Sequence, residues 1–266
     1  MNIKRLLLVS LAAVFLLLGS ALLIVPRISN CVGVQIAHNT VSSFIHLKEN
    51  IVDGIKPPEE ERESSREFPE EENADSYSEE ETVLYRVDID RLYRDSKEYN
   101  EMLKINQQNL LIDEYSYQSP SLNLWDYGIP NGVYGYVSAP SIDMELPIYL
   151  GATDYNMAFG AAHLTYTSLP IGGKSTNSVL SGHTGYIGRI FFDYIRNLNI
   201  GDEVIVENYW DKLTYKVVDR EIYKSYQSSA CYLTEGKDLL TMLTCISDGQ
   251  GGFDRYYVIC ERDIHD

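Results

Sequence analysis

The rhythm of hydrophobic and polar positions changes several times along the chain. Residues 6–25 carry no charge, and twenty such residues are about what a single bilayer-spanning helix requires. Lys4 and Arg5 stand before this run. By the positive-inside tendency they keep residues 1–5 in the cytoplasm and send everything after Arg27 to the outside. A cleavable signal peptide is the competing reading, with Gly19-Ser20-Ala21 as its small-residue cleavage site. The apolar run outlasts a signal-peptide core of roughly 7–15 residues, so an uncleaved single-pass anchor is expected. A juxtamembrane segment over 26–56 follows, weakly amphipathic from residue 32 onward.

Apolar positions return at helical spacing between 83 and 112, among them Leu84, Val87, Leu92, Tyr99, Leu103 and Leu110, and predict one long helix or two shorter ones. The stretch 118–131, with Pro120, Trp125 and Pro130, is irregular; it either lies across a cleft or simply connects. Residues 82–131 thus form an N-terminal helical segment and connector. From Gly132 the pattern becomes short β-prone runs broken by turn residues, with strands predicted at 132–139, 143–150, 177–182, 203–208, 213–223, 238–245 and 255–262. Within this region Ile190, Phe191, Tyr194, Ile195 and Leu198 recur at helical spacing, predicting a helix over 187–198 that Asn199-Ile200-Gly201 ends. Repeated short strands with few helices predict a mainly β domain over 132–266, closed or nearly closed into a barrel.

Charge alters this picture at one place. The formal charge is −17, and residues 57–81 supply more than half of it, with twelve carboxylates against two arginines. So few apolar residues cannot bury enough surface to fold, and the stretch reads as a disordered, self-repelling tether between membrane and domain. An acidic interaction tail is the sharper alternative. No basic face suggests nucleic-acid binding. The four cysteines, Cys31, Cys231, Cys245 and Cys260, show no metal-ligand spacing, and Cys231 and Cys260 read as buried small apolar residues, with a bridge between them left open. No metal or other cofactor is expected. His38 and His46 lack cysteine or carboxylate partners at ligand spacing and read as packing residues, while His163 reads as a loop residue bordering the groove at most and His265 as part of a frayed end.

Candidate chemistry gathers at three strand ends. The run Leu240-Thr241-Met242-Leu243-Thr244-Cys245 ends on a thiol, and ten residues later Arg255 opens the next run. Joined by the intervening Gly-rich loop, the two residues fall near the same end of a sheet. Upstream, Ser178-Val179-Leu180-Ser181-Gly182-His183 stops at a histidine between glycines. Cysteine reacts as its thiolate. With ordinary values of about 8.5 for a thiol and 6.5 for an imidazole, histidine is suited to deliver a proton to a departing amine and later to take one from an incoming nucleophile. Arg255 stays protonated, so it serves as a hydrogen-bond donor to a developing oxyanion.

These residues carry a resemblance. Thr241-Met242-Leu243-Thr244-Cys245 is similar to the TLxTC signature of the sortases, membrane-anchored cysteine transpeptidases of Gram-positive bacteria, with Met242 in place of the usual Leu. Ser181-Gly182-His183 corresponds to their histidine motif and Arg255 to their essential arginine. Glu145-Leu146-Pro147-Ile148-Tyr149 and Thr167-Ser168-Leu169-Pro170-Ile171-Gly172-Gly173 further resemble the pilus-building class C members. The resemblance covers roughly 132–262 and implies an eight-stranded sortase barrel preceded by N-terminal helices and a transmembrane helix. It implies His183, Cys245 and Arg255 as catalytic residues, with Thr244 helping to position the substrate. The substrate is then an LPXTG-like sorting signal at the C-terminus of a surface protein or pilin. The acyl group passes through a thioacyl intermediate to an amine, from a pilin lysine or a peptidoglycan precursor, outside the cell membrane. An Asp-Pro-aromatic lid motif has no counterpart beyond the loosely similar Trp125-Asp126-Tyr127, and no Pro-Tyr follows the cysteine. The subclass, the acceptor and the sorting motif stay open. Two rivals remain: a cysteine hydrolase of cell-wall peptides, which uses water in place of the amine, and a non-catalytic, membrane-tethered assembly protein.

Overall fold

The computed structural model describes residues 3–52, 87–110, 117–185, 188, 191–224 and 229–263; the acidic stretch 57–81 and His265 lie outside the described residues. The seven predicted strands are β1 (Val133–Ala139), β2 (Met144–Leu150), β4 (Thr176–Ser181), β5 (Glu203–Asn208), β6 (Lys212–Lys224), β7 (Asp238–Ser247) and β8 (Phe253–Glu261). The eighth strand, β3 (Ala161–His163), is only three residues long, too short for an alternation to register. Together they close into a barrel in the order β1-β2-β3-β4-β7-β8-β6-β5.

Alternation along the strands sorts side chains to two faces. Val137, Ile148, Leu180, Val206, Tyr215, Leu240, Met242, Val258 and Cys260 fill the interior. On the outer face of β4, β7 and β8 a smaller apolar cluster joins Val179, Leu243 and Tyr257 to Leu164 and Cys231 from the flanking loops. Cys231 and Cys260 therefore lie on opposite sides of the sheet, and both are free thiols.

The helix expected over 187–198 is replaced, among its described residues, by an irregular loop with a single 3-10 turn, Ile195–Asn197. Gly185 and Gly188 both adopt positive φ, at 76° and 83°, which a continuing α-helix does not accommodate. The helical spacing has another cause: Phe191, Phe192, Ile195 and Leu198 point together into the barrel interior as a plug.

Two helices pack on the outside of the barrel. Helix α1 (Ile3–Val52) runs unbroken through Pro26, so the apolar run and the juxtamembrane segment form one element. It is also the one helix among the described residues long and apolar enough to cross a membrane. Its far half docks on the barrel: Val41 and Phe44 are buried beside Tyr136 and Tyr209, His38 pairs with Glu145 at 2.9 Å, and Lys48 with Glu207 at 3.0 Å. Helix α2 (Ile89–Leu110) starts at Asp88, whose carboxylate accepts the Arg91 N–H as an N-cap. It buries Leu92, Ser96, Asn100, Leu103 and Gln107, spaced along one face. The Asn100 amide exchanges two hydrogen bonds with the Leu169 backbone, which makes the 167–173 motif a seat for α2. Trp125-Asp126-Tyr127 forms a 3-10 turn against α2, with Tyr127 donating to Asp95. This turn belongs to the cluster over β1. In the ring of eight strands β1 lies diametrically opposite β7, so the triplet is remote from Cys245.

Candidate active site

β7 and β8 form a hairpin closed by a five-residue turn, 248–252. The Asp248 carboxylate accepts the backbone N–H groups of Gln250 and Gly252, at 2.8 and 2.9 Å. Because these bonds favour the anion, they hold its carboxyl below the usual range. A fixed turn fixes the register, and this one sets Cys245 directly opposite Arg255. Both are half-buried, and the Arg255 guanidinium donates from Nη1 to Cys245 Sγ at 3.1 Å. Both follow the outward parity of Leu243 and Tyr257, so thiol and guanidinium sit at the upper end of the outer apolar cluster. Tyr223 on β6 pairs with Arg255 and borders a cavity of about 390 Å³ that also touches Ala230 and Tyr232.

His183 arrives from the other side. β4 runs parallel to β7 with Ser181 beside Leu243, and the ladder continues one step as Gly182 N–H donates to the Leu243 carbonyl at 3.1 Å. Two residues beyond Ser181 and Leu243 come His183 and Cys245, so the parallel register carries the imidazole-bearing residue to the level of the thiol. The chain is tied down around it. Thr244 Oγ1 donates to the Gly182 carbonyl at 2.8 Å, Phe192 N–H to the His183 carbonyl at 3.0 Å, and Gly185 N–H to Asp193 Oδ1 at 2.9 Å. Gly182 has no substitute here, since a Cβ would fall 2.6 Å from the Phe192 ring. Thr244 is fully buried with its hydroxyl engaged; what it positions directly is the backbone leading to His183.

The remaining candidates sit elsewhere. Burial pushes the Cys231 thiol up to about 12 and raises that of Cys260 as well, so both are chemically quiet; Cys31 is exposed on α1. His163 is buried, its Nε2 facing the Ser168 carbonyl at 2.9 Å, and burial lowers it to about 4, which keeps the ring neutral. His46 is exposed and hydrogen-bonds Asn50 of its own helix. Phe192 and Asp193, which the misread helix over 187–198 concealed, emerge as the side chains that shape the His183 loop. Their sequence signal was an acid set inside an apolar run that ends a Gly-rich stretch. Among the described residues no group of three or more His, Cys, Asp or Glu is placed to hold a metal ion.

Comparisons with known proteins agree with this architecture. The sortase domain model matches residues 137–263. Sortase A of Bacillus anthracis is 30% identical over 117 residues, 43% of this chain and 53% of its own length, so the chain spans about half the length of that curated relative. Among solved structures, sortase C-1 of Streptococcus pneumoniae superposes with a TM-score of 0.58 at 27% identity, covering 67% of this chain and 91% of that one. The pilus-related sortase C of Group B Streptococcus does so with a TM-score of 0.58 at 26% identity, covering 67% and 90%. With its closed barrel, its β7–β8 hairpin and the domain match running on through both of those strands, the chain carries a sortase domain over residues 137–263.

Proposed function

We propose that the protein is a membrane-anchored cysteine transpeptidase, with Cys245 as nucleophile, His183 as general acid and base, and Arg255 as oxyanion donor. The observation that carries this reading is the cross-strand pairing of Cys245 with Arg255 at 3.1 Å, beside a loop that delivers His183 to the same level. The Cys245 thiolate adds to the scissile carbonyl of an LPXTG-like sorting signal, and the negative charge that develops on the carbonyl oxygen is met by the Arg255 guanidinium. A donor of this kind is worth on the order of 3 kcal/mol in a water-poor site. The C–N bond then breaks, the departing amine takes its proton from His183, and a thioester remains on Cys245. An incoming amine, from a pilin lysine or a peptidoglycan precursor, loses a proton to His183 as it attacks the thioester. The new amide forms and the thiolate leaves.

Thr244 supports the reaction through Gly182, holding the His183 backbone to β7. The outer cluster of Leu164, Val179, Cys231, Leu243 and Tyr257 lies next to the thiol, and its apolar character suits the aliphatic residues of a sorting signal. Residues 6–25 serve as a single-pass anchor and 132–266 as the catalytic domain outside the cell membrane; because α1 docks on the barrel directly beyond the anchor, 57–81 links α1 to α2 rather than membrane to domain. Likeness to a pilus-related sortase C supports pilins among the substrates. Incubating the full chain with sorting-signal peptides, with and without an added amine, tests the reading by product mass. Amide formed at the expense of hydrolysis supports transpeptidation. Acid product alone at saturating amine identifies a hydrolase, and no turnover at all identifies a non-catalytic assembly protein.

A further inference from the structure

Among the described residues, the loop that carries His183 is held both from within the barrel domain and from outside it. From within, Thr244, Phe192 and Asp193 bond to Gly182, His183 and Gly185. From outside comes Asn30 of α1, whose Oδ1 accepts the Gly188 N–H at 2.5 Å. Gly188 suits this approach twice over: its φ is 83°, and a Cβ there would fall 2.5 Å from Ser29 Oγ. The contact is part of a continuous seam. Ser29, Val32, Gly33 and Ile36, one stripe of α1 at helical spacing, face Gly188 and Phe191 of the loop and Ala158 and Phe159 across a cavity of about 310 Å³. Phe191 in turn belongs to the same buried cluster as Ala37 of α1.

We propose that Asn30 is a positioning residue for His183, and that the membrane-side portion of α1 is thereby a working part of the active site. This rests on the reading of His183 as general acid. Asn30 lies three residues past Arg27, about 4.5 Å of helical rise, and α1 is unbroken between the apolar run and this contact. The His183 loop is therefore held next to the point where the anchor leaves the bilayer, and the orientation of the imidazole depends on a helix fixed in the membrane. A loop whose glycines tolerate many backbone conformations gains most from such an external hold, because small misplacements of a catalytic group cost rate steeply.

The test uses the full chain in lipid nanodiscs and a quenched-fluorescent LPXTG-type peptide chosen from a panel by wild-type activity. Asn30→Ala removes the acceptor, whereas Asn30→Asp retains an oxygen at the same position. The expected result for N30A is an acylation kcat lower by about tenfold. KM, the thermal midpoint and the rate of Cys245 alkylation by iodoacetamide stay at wild-type values, since the thiol and its Arg255 partner are untouched. N30D restores kcat. Equal losses in N30A and N30D, or a loss in N30A accompanied by changed alkylation or a lowered midpoint, would overturn the proposal, as would an unchanged N30A. His183→Ala run alongside separates the two levels. Full activity in N30A beside an inactive H183A removes only the role of Asn30, whereas an active H183A or an inactive wild type removes the underlying reading and this inference with it.

Discussion

Replacing Arg255 probes the electrostatic half of the site. Its Nη1 lies 3.1 Å from Cys245 Sγ, and the register locks the two residues face to face. In the tetrahedral adduct the oxyanion sits one bond beyond the carbon that sulfur has attacked, so a guanidinium that reaches the sulfur also reaches that oxygen. Removal of one preorganised donor costs about 10²–10³ in kcat. Because Arg255 is half-buried, solvent competes for the charge, and the lower end applies: Arg255→Ala is expected to slow acylation about 10²-fold, or about 2.7 kcal/mol. Arg255→Lys keeps the charge and loses the planar fork, and should recover about tenfold of that loss. Single-turnover acylation, followed by quenched-flow and mass detection of the thioester, separates the steps. A group acting in the transition state lowers kcat and kcat/KM together and leaves KM alone. An R255A enzyme that acylates within about threefold of wild type, or one whose whole defect lies in KM, would refute the assignment.

Two further outcomes follow from the buried polar groups. Burial holds the folded His163 imidazole at about 4, against about 6.5 when unfolded. Between those values the unfolded chain binds a proton that the folded chain does not, so stability falls as pH drops from about 6.5 to about 4, by roughly 3 kcal/mol over the full span. His163→Gln should flatten the slope of urea midpoint against pH in that window, and an unaltered slope would assign the dependence to other groups. Thr244→Val keeps the shape of the side chain but deletes the bond to the Gly182 carbonyl. It is expected to cost about 1–2 kcal/mol of stability and to lower the acylation rate; a variant that loses stability yet acylates at the wild-type rate would show that the bond does not bear on His183.

Much of this architecture was legible in the chain because its strands alternate cleanly or run apolar between turn residues. The ten-residue interval from Cys245 to Arg255 could be read as a hairpin, and the five-residue turn around Asp248 makes the two residues direct cross-strand partners. What misled was periodicity without context. Phe191, Phe192, Ile195 and Leu198 repeat as a helix would, yet they repeat because all enter the barrel mouth, while Gly185 and Gly188 turn the backbone away from helical angles. β3 left no trace because three residues carry no period. The docking of α1 was hidden for a different reason. Its buried positions, Ala37, Val41 and Phe44, form a thin seam among exposed polar residues, and a partner surface far along the chain decides that they are buried. The contact of Asn30 with the His183 loop is likewise tertiary, and no local pattern announces it.

Intact-mass analysis of the full chain, incubated with an LPXTG-type peptide in the absence of an amine acceptor, tests the central claim most directly. The account predicts a covalent adduct of the peptide's N-terminal fragment, localised to Cys245 by digestion, released by an added amine, and absent from Cys245→Ala and His183→Ala. An adduct that forms on another residue or survives in C245A would contradict it, as would a Cys245 that alkylates readily with iodoacetamide and yet never acquires the peptide.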